Sequence, residues 1–208
     1  MASRLGDQTA RLEGRITLNP LYHMDPIGTL LFPALMIFGP LFGLSMFGGM
    51  LVGWAKPTPV ITRNFRKIVR DENLVTLAGP VSNLVLVFAA FIVLAIVSAA
   101  VPGGRMLVLA TFSGGLGLAV PSGLQAVVLL STLAILINLS LFFFNLLPIP
   151  PLDGSHLLRN MLPYSAVQVY DRIPIWVSYL LMIFVGGTIL GMLLNPTLRL
   201  VYSALMHI

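Results

Sequence analysis

The 208-residue sequence contains no cysteine. That excludes disulfides and any thiolate metal site made by this chain. Charge is also scarce: only 9% of residues are charged and 57% are hydrophobic, whereas a soluble domain carries about 25% charge. A chain so poor in charge cannot clothe a water-facing surface, so it reads as a polytopic membrane protein. Glutamate occurs only at Glu13 and Glu72, and neither has histidines at the H-E-x-x-H spacing. There is no P-loop, no G-x-S-x-G and no pair of carboxylates inside an apolar run. Met1–Pro20 carries charges of both signs and no apolar core, so it is not expected to be a secretory signal. No internal repeat is visible, which removes the inverted-repeat signature of many transporters. The net charge of +5 does not point to nucleic acid. The cations are few and lie in short loops between apolar runs, where the anionic headgroups of a lipid bilayer are the fitting partner.

What the sequence does have is apolar runs. Four spans are expected, at Gly28–Val52, Leu74–Val101, Leu124–Leu147 and Ile175–Leu194, each near or above the roughly 20 residues a bilayer requires. Asp25-Pro26 is a helix start, a carboxylate cap followed by proline at the first helical position. Pro33 and Pro40 predict a kink in the first span, and Trp54 sits where an interfacial aromatic belongs. Asn195-Pro196 is expected to end the fourth span, leaving a tail to Ile208 at the interface. Pro102–Gly123 reads as a surface-lying or re-entrant connection, and Leu162–Pro174 as a loop. Met1–Leu21 contains R-I-T-L-N-P, whose alternation suggests a short strand, and Gly53–Val60 could supply another. The expected fold is an α-helical polytopic membrane protein with about four transmembrane helices, plus a small β element near the N-terminus. It forms one membrane-embedded domain over 1–208. The loops Gly53–Asn73 and Pro148–Pro174 share a side that carries seven of the 12 Lys and Arg, which places that side in the cytoplasm.

The stretch Asn145–Ser155, N-L-L-P-I-P-P-L-D-G-S, organises the rest. Pro148, Pro150 and Pro151 stop the helix before it and Asp153 follows at once. A carboxylate at the edge of a membrane-length segment is costly unless paired, solvated or bound to metal. From the residues alone two readings of Asp153 stand: a metal ligand or proton carrier, or the cap of a turn and helix beginning at Gly154. His156, three residues on, shares its face and could assist. His23 could be a ligand, a base or a supporting donor, or simply a hydrogen-bonded histidine before a cap. Small residues at Ala78, Gly79 and Ser82 would let another backbone approach closely. Asn83 and Asn138 read as hydrogen-bonding links between helices.

These residues resemble the site-2 proteases, which are intramembrane zinc metalloproteases. Asn145–Gly154 looks like the family's second signature. The short bacterial members are also matched in order by Gly6–Ala10, Gly14–Pro20, His23–Thr29, Gly53–Val60 and Ala78–Asn83. The resemblance implies an endopeptidase of the bacterial cytoplasmic membrane that cuts transmembrane segments of other membrane proteins. It implies zinc, with Asp153 as a metal ligand, Asn145 supporting the substrate or the oxyanion, and His23 near the site; His156 stays a possible supporting group by its spacing from Asp153. In the family two histidines and the base come from H-E-x-x-H, just before G-D-x-T-A. Here Met1-Ala2-Ser3-Arg4-Leu5 looks like the tail of that helix. The chain is therefore expected to be an N-terminally truncated member, inactive alone. Two rivals remain: a non-catalytic membrane binding module using the same groove, and a small transporter.

Overall fold

The computed structural model describes residues 1–17, 19–31, 34, 35, 38, 55, 56, 58–112 and 122–208. The chain divides into two compact units, Met1–Glu72 and Asn73–Ile208. Most of the expected first span, with Pro33, Pro40 and Trp54, lies outside the described residues.

The first unit opens with two single-turn helices, α1 (Ala2–Leu5) and α2 (Thr9–Leu12). A 3-10 turn follows at Pro20–Tyr22 and a π-helical turn at Pro26–Leu31. The expected N-terminal strand is not found: among the described residues the only β pairing is a single antiparallel bridge between Met24 and Ala55. The reason is local. Gly6 and Gly14 take positive φ, which breaks an extended run. The Thr17 hydroxyl accepts from the Asn19 N–H, and the Asn19 side chain accepts from the Leu21 N–H. Backbone groups that a strand would offer to a neighbour are thus met by adjacent side chains. Asp25 caps the π-helical turn as expected, its Oδ1 accepting from Ile27 at 3.0 Å and Gly28 at 2.8 Å.

Asp7 knots the unit together. Its buried carboxylate accepts from the Thr9 N–H and hydroxyl, the Asn64 side chain and the Ile61 N–H. These bonds join residues near the start of the chain to others more than fifty positions later. They hold the Asp7 carboxyl well below the usual carboxylate range, the Thr9 side chain contributing most.

Three helices among the described residues are long and apolar enough to cross a membrane: Ile68–Ala100, Gly123–Asn145 and Ile175–Met206. They answer the second, third and fourth expected spans. The first is α3. Its start is closed by Asp71, whose carboxylate accepts from the Lys67 N–H at 2.9 Å, and Pro80 lies inside it. The turn after Ala100 leads into α4 (Gly104–Phe112), a single short helix within the connection expected to be re-entrant or surface-lying. Next come α5 (Ser122–Asn145), α6 (Asp153–Met161) and α7 (Tyr164–Tyr170), the last in a stretch expected to be loop. The final span is α8 (Ile175–Leu181), a π-helical turn at Met182–Gly186, and α9 (Gly187–Met206).

The fourth span does not end at Asn195-Pro196; α9 continues through Pro196 to Met206. Leu198 and Val201 pack against the core and Leu205 is fully buried. That apolar stripe, at helical spacing, holds the helix together past the proline. The core of the second unit joins Val87, Leu94 and Val97 of α3 to Leu107 and Val108 of α4. Val128, Ile135 and Leu139 of α5 and Leu205 of α9 complete it. Only 28%, 17% and 12% of the most apolar stretch of the three long helices is buried in protein. Their remaining apolar faces suit lipid.

Side-chain bonds mark two ends of this bundle. At one end the Asn160 amide on α6 donates to Asn73 at the start of α3, at 2.8 Å. At the other, the Arg105 guanidinium at the start of α4 donates to the Met206 carbonyl at the end of α9. Asn138, expected to link helices, instead donates to the Ala134 carbonyl of its own helix at 2.8 Å.

Candidate functional site

The turn between α5 and α6 builds the site. After Asn145 the helix stops, and Leu147 and Ile149 bury their side chains. The Ile149 N–H donates to Leu147 and the Leu152 N–H to Ile149, so the proline-rich turn closes on itself. The Pro150–Pro151 peptide is cis. The chain doubles back until Gly154 rests on the end of α5. A Cβ at Gly154 would overlap the Leu146 carbonyl oxygen and crowd that of Leu147. Glycine is therefore required here for close approach, not for a left-handed turn. This contact sets Gly154, the neighbour of Asp153, beside Leu146, the neighbour of Asn145.

Asp153 is not the helix cap that one reading expected. Helix α6 begins at Asp153 itself, with Leu152 in the capping position and no side-chain capping bond. The carboxylate points at α3: its Oδ2 lies 3.3 Å from where a Cβ at Gly79 would be. Among the described residues, what approaches closely at Gly79 is thus a carboxylate rather than a second backbone. Two stretches far apart in sequence, A-G-P-V-S-N and L-D-G, meet at this point. Burial pushes the Asp153 carboxyl above its ordinary value, and the nearby His156 partly offsets this.

The turn is braced from behind. The buried Ser155 hydroxyl donates to the Leu152 carbonyl at 2.6 Å. The Tyr170 hydroxyl on α7 donates to the Pro148 carbonyl at 3.1 Å. Arg159 grips Asp171 through two bonds of 2.9 Å, fastening α6 to the end of α7. None of these braces was expected from the sequence. Tyr170 and Asp171 lay in a presumed loop, and nothing local to them names their partners.

The structure brings Asn145, Asp153 and His156 to one end of the second unit. His156 is exposed and Asn145 half-buried. His23 belongs to the first unit, where its Nε2 lies 2.9 Å from the Thr17 carbonyl oxygen. A carbonyl only accepts, so Nε2 is the donor in this bond.

A family profile described as peptidase family M50 matches residues 44–187, which include Gly79, Asn145 and Asp153. This chain belongs to peptidase family M50. The family is that of the site-2 proteases, as the signatures suggested. The M50 chain is also similar to a protein of Bacillus subtilis (strain 168) named "Putative zinc metalloprotease YwhC". The two are 39% identical over 163 residues, covering 78% of this chain and 61% of that one. The chain thus spans less than two thirds of that relative's length. No solved structure matches it.

The family implies zinc. A catalytic zinc takes three protein donors and leaves a fourth position for water. Among the described residues no group of three His, Cys, Asp or Glu could hold a metal. Asp153 and His156 supply two donors at most, and H-E-x-x-H occurs nowhere in the sequence. These residues by themselves do not fit a catalytic zinc site.

Proposed function

We propose that this M50 chain is the membrane portion of a metalloendopeptidase that cuts transmembrane segments of other membrane proteins, in the manner of regulated intramembrane proteolysis. In this reading Asp153 is the one metal ligand the described residues contribute. Asn145 supports the substrate or the oxyanion, and His156 and His23 are supporting groups. The observation that carries it is the uncapped Asp153 carboxylate, held at the edge of a membrane helix against Gly79. A half-buried carboxylate without a capping role is costly to keep for structure alone. In this reading residues 1–208 alone are inactive, because the ligand set is incomplete among the described residues. The bacterial cytoplasmic membrane is the proposed location, on the strength of the apolar helices and the lineage.

The test begins with the intact mass of the protein expressed from its own locus. A mass larger by a segment containing H-E-x-x-H is the expected result. In that protein Asp153→Ala abolishes zinc retention and cleavage of a membrane substrate, while His156→Ala lowers both less. A mass equal to residues 1–208 would remove the catalytic claim and favour a membrane binding module of proteolytic descent.

A further inference from the structure

Away from Asp153, a groove of about 710 Å³ opens between α4, α5 and α9. Its walls are apolar, with Phe112, Leu133, Leu136 and Leu198 among them, and Asn195 and Arg199 bring polar atoms to it. Tyr202 packs at a tilt against Phe112 with ring centres 6.0 Å apart. A second cavity of about 380 Å³ lies against α9 and shares Asn195 and Arg199. Arg199 therefore stands where two cavities meet.

Arg199 is a cation in search of an anion. No acidic residue occurs on α4, α5 or α9, and no ion pair to Arg199 forms among the described residues. Arg105, the other cation at this end of the bundle, is engaged with the Met206 carbonyl. Depth agrees. The span Ile175–Met206 has 32 residues, about 48 Å of helix against a hydrocarbon core of about 30 Å. Counted from Ile175, Arg199 comes about 36 Å along the helix, at headgroup level on the far side. Asn195, one turn earlier, lies on the same face.

We infer that this groove binds an anionic phospholipid. Its phosphate sits on Arg199 and Asn195, and its two acyl chains lie in the two cavities. Charge complementarity commits the site to this occupant. A zwitterionic lipid gains less from a lone guanidinium, and a helix of another protein would need to bring a carboxylate to the same depth. The site is independent of the proteolytic reading.

The test uses the full chain in nanodiscs of equal phosphatidylglycerol and phosphatidylcholine with identical acyl chains, released into native mass spectrometry. One guanidinium near the surface should favour the anionic lipid about fivefold. Arg199→Gln should bring that ratio close to one, and Arg199→Lys should keep most of it. Should Arg199→Gln fail to fold, Leu136→Trp keeps the cation and fills the groove. It should lower retention of phosphatidylglycerol with the helical circular dichroism unchanged. Equal retention of both lipids, an unchanged ratio in Arg199→Gln, displacement of the lipid by inorganic phosphate, or a peptide in its place would each overturn the inference.

Discussion

Gly154→Ala separates two opposed effects, and the structure says which wins. Glycine within a helix normally costs about 0.5–1 kcal/mol relative to alanine, so the substitution should stabilise α6 if space allows. Space does not allow it. The new methyl would overlap the Leu146 carbonyl oxygen and press on that of Leu147, both backbone atoms at the end of α5. Neither can rotate away as a flexible side chain would. Forcing a methyl into a packed site costs about 1–3 kcal/mol, and against backbone that cannot yield the upper part of that range, about 2–3, applies, so the net loss is about 1–2.5 kcal/mol. For a chain of this size that corresponds to a Tm lowered by about 2 to 10 °C. The internal control is Gly191→Ala on α9, where the nearest atom to a new Cβ is the Asn195 amide nitrogen at 4.0 Å. That variant should hold or raise the Tm. Thermal unfolding of both proteins in one detergent, with hydrogen exchange across 145–156, makes the comparison. The Gly154 variant should exchange faster in that segment, because α6 must move off α5. If Gly154→Ala melts no lower than the parent and leaves exchange unchanged, the close contact that aims Asp153 at α3 is refuted.

Three further outcomes follow from the same geometry. Asp7 has a folded pKa below its unfolded one, so its stabilisation is present above the ordinary aspartate value of about 3.8 and is lost as pH falls below it. Acid titration of the first unit by limited proteolysis should show that loss. Asp7→Asn should be less stable at neutral pH and should lack this acid-dependent component. Tyr170→Phe removes the hydrogen bond to Pro148 and should cost about 1 kcal/mol, seen as faster exchange at Ile149 and Leu152 with α5 unaffected. The Arg159–Asp171 bridge is exposed. A double-mutant cycle should find a small coupling at low salt that disappears at high salt. Because Arg159 lowers the Asp171 pKa, this coupling also fades as pH falls through the carboxylate range.

Much of the helical architecture was legible, because lipid leaves so few choices. A long uncharged run must satisfy its backbone internally, and so α3, α5 and Ile175–Leu194 could be read as helices. The errors came where a local rule met a packing partner. Pro196 reads as a stop, yet Leu198, Val201 and Leu205 find the core beyond it. Arg15-Ile16-Thr17 reads as a strand by alternation, but Gly14 turns the chain before it and Thr17 binds the backbone after it. Asn138 reads as a link between helices, yet a nearer acceptor lies one turn back in its own.

The candidate site divides the same way. The residue types of Asn145–Ser155 marked Asp153 as a candidate and left two readings open, a metal ligand or proton carrier and the cap of a turn and helix. Their mutual placement was not legible. Asp-Gly is ambiguous between a turn, a cap and a close contact, and only the Leu146 carbonyl beneath Gly154 decides among them. The meeting of Asp153 with Gly79 is longer in range, and no local period encodes it. It rests on two features each readable alone: a helix with a small residue about three turns inside its start, and a turn that projects an acid. Replacing Gly79 by Ala tests that pairing directly. The new methyl would stand 3.3 Å from the Asp153 carboxylate, too close for comfort but movable, since a side chain can swing where a backbone cannot. Gly79→Ala should therefore hold or raise the Tm, because glycine inside a helix costs about 0.5–1 kcal/mol relative to alanine and displacing one side chain costs little. It should still turn the carboxylate away from α3, shifting the Asp153 carboxyl resonance and its titration. An unaltered titration in that variant would mean that Asp153 does not rest on Gly79 at all.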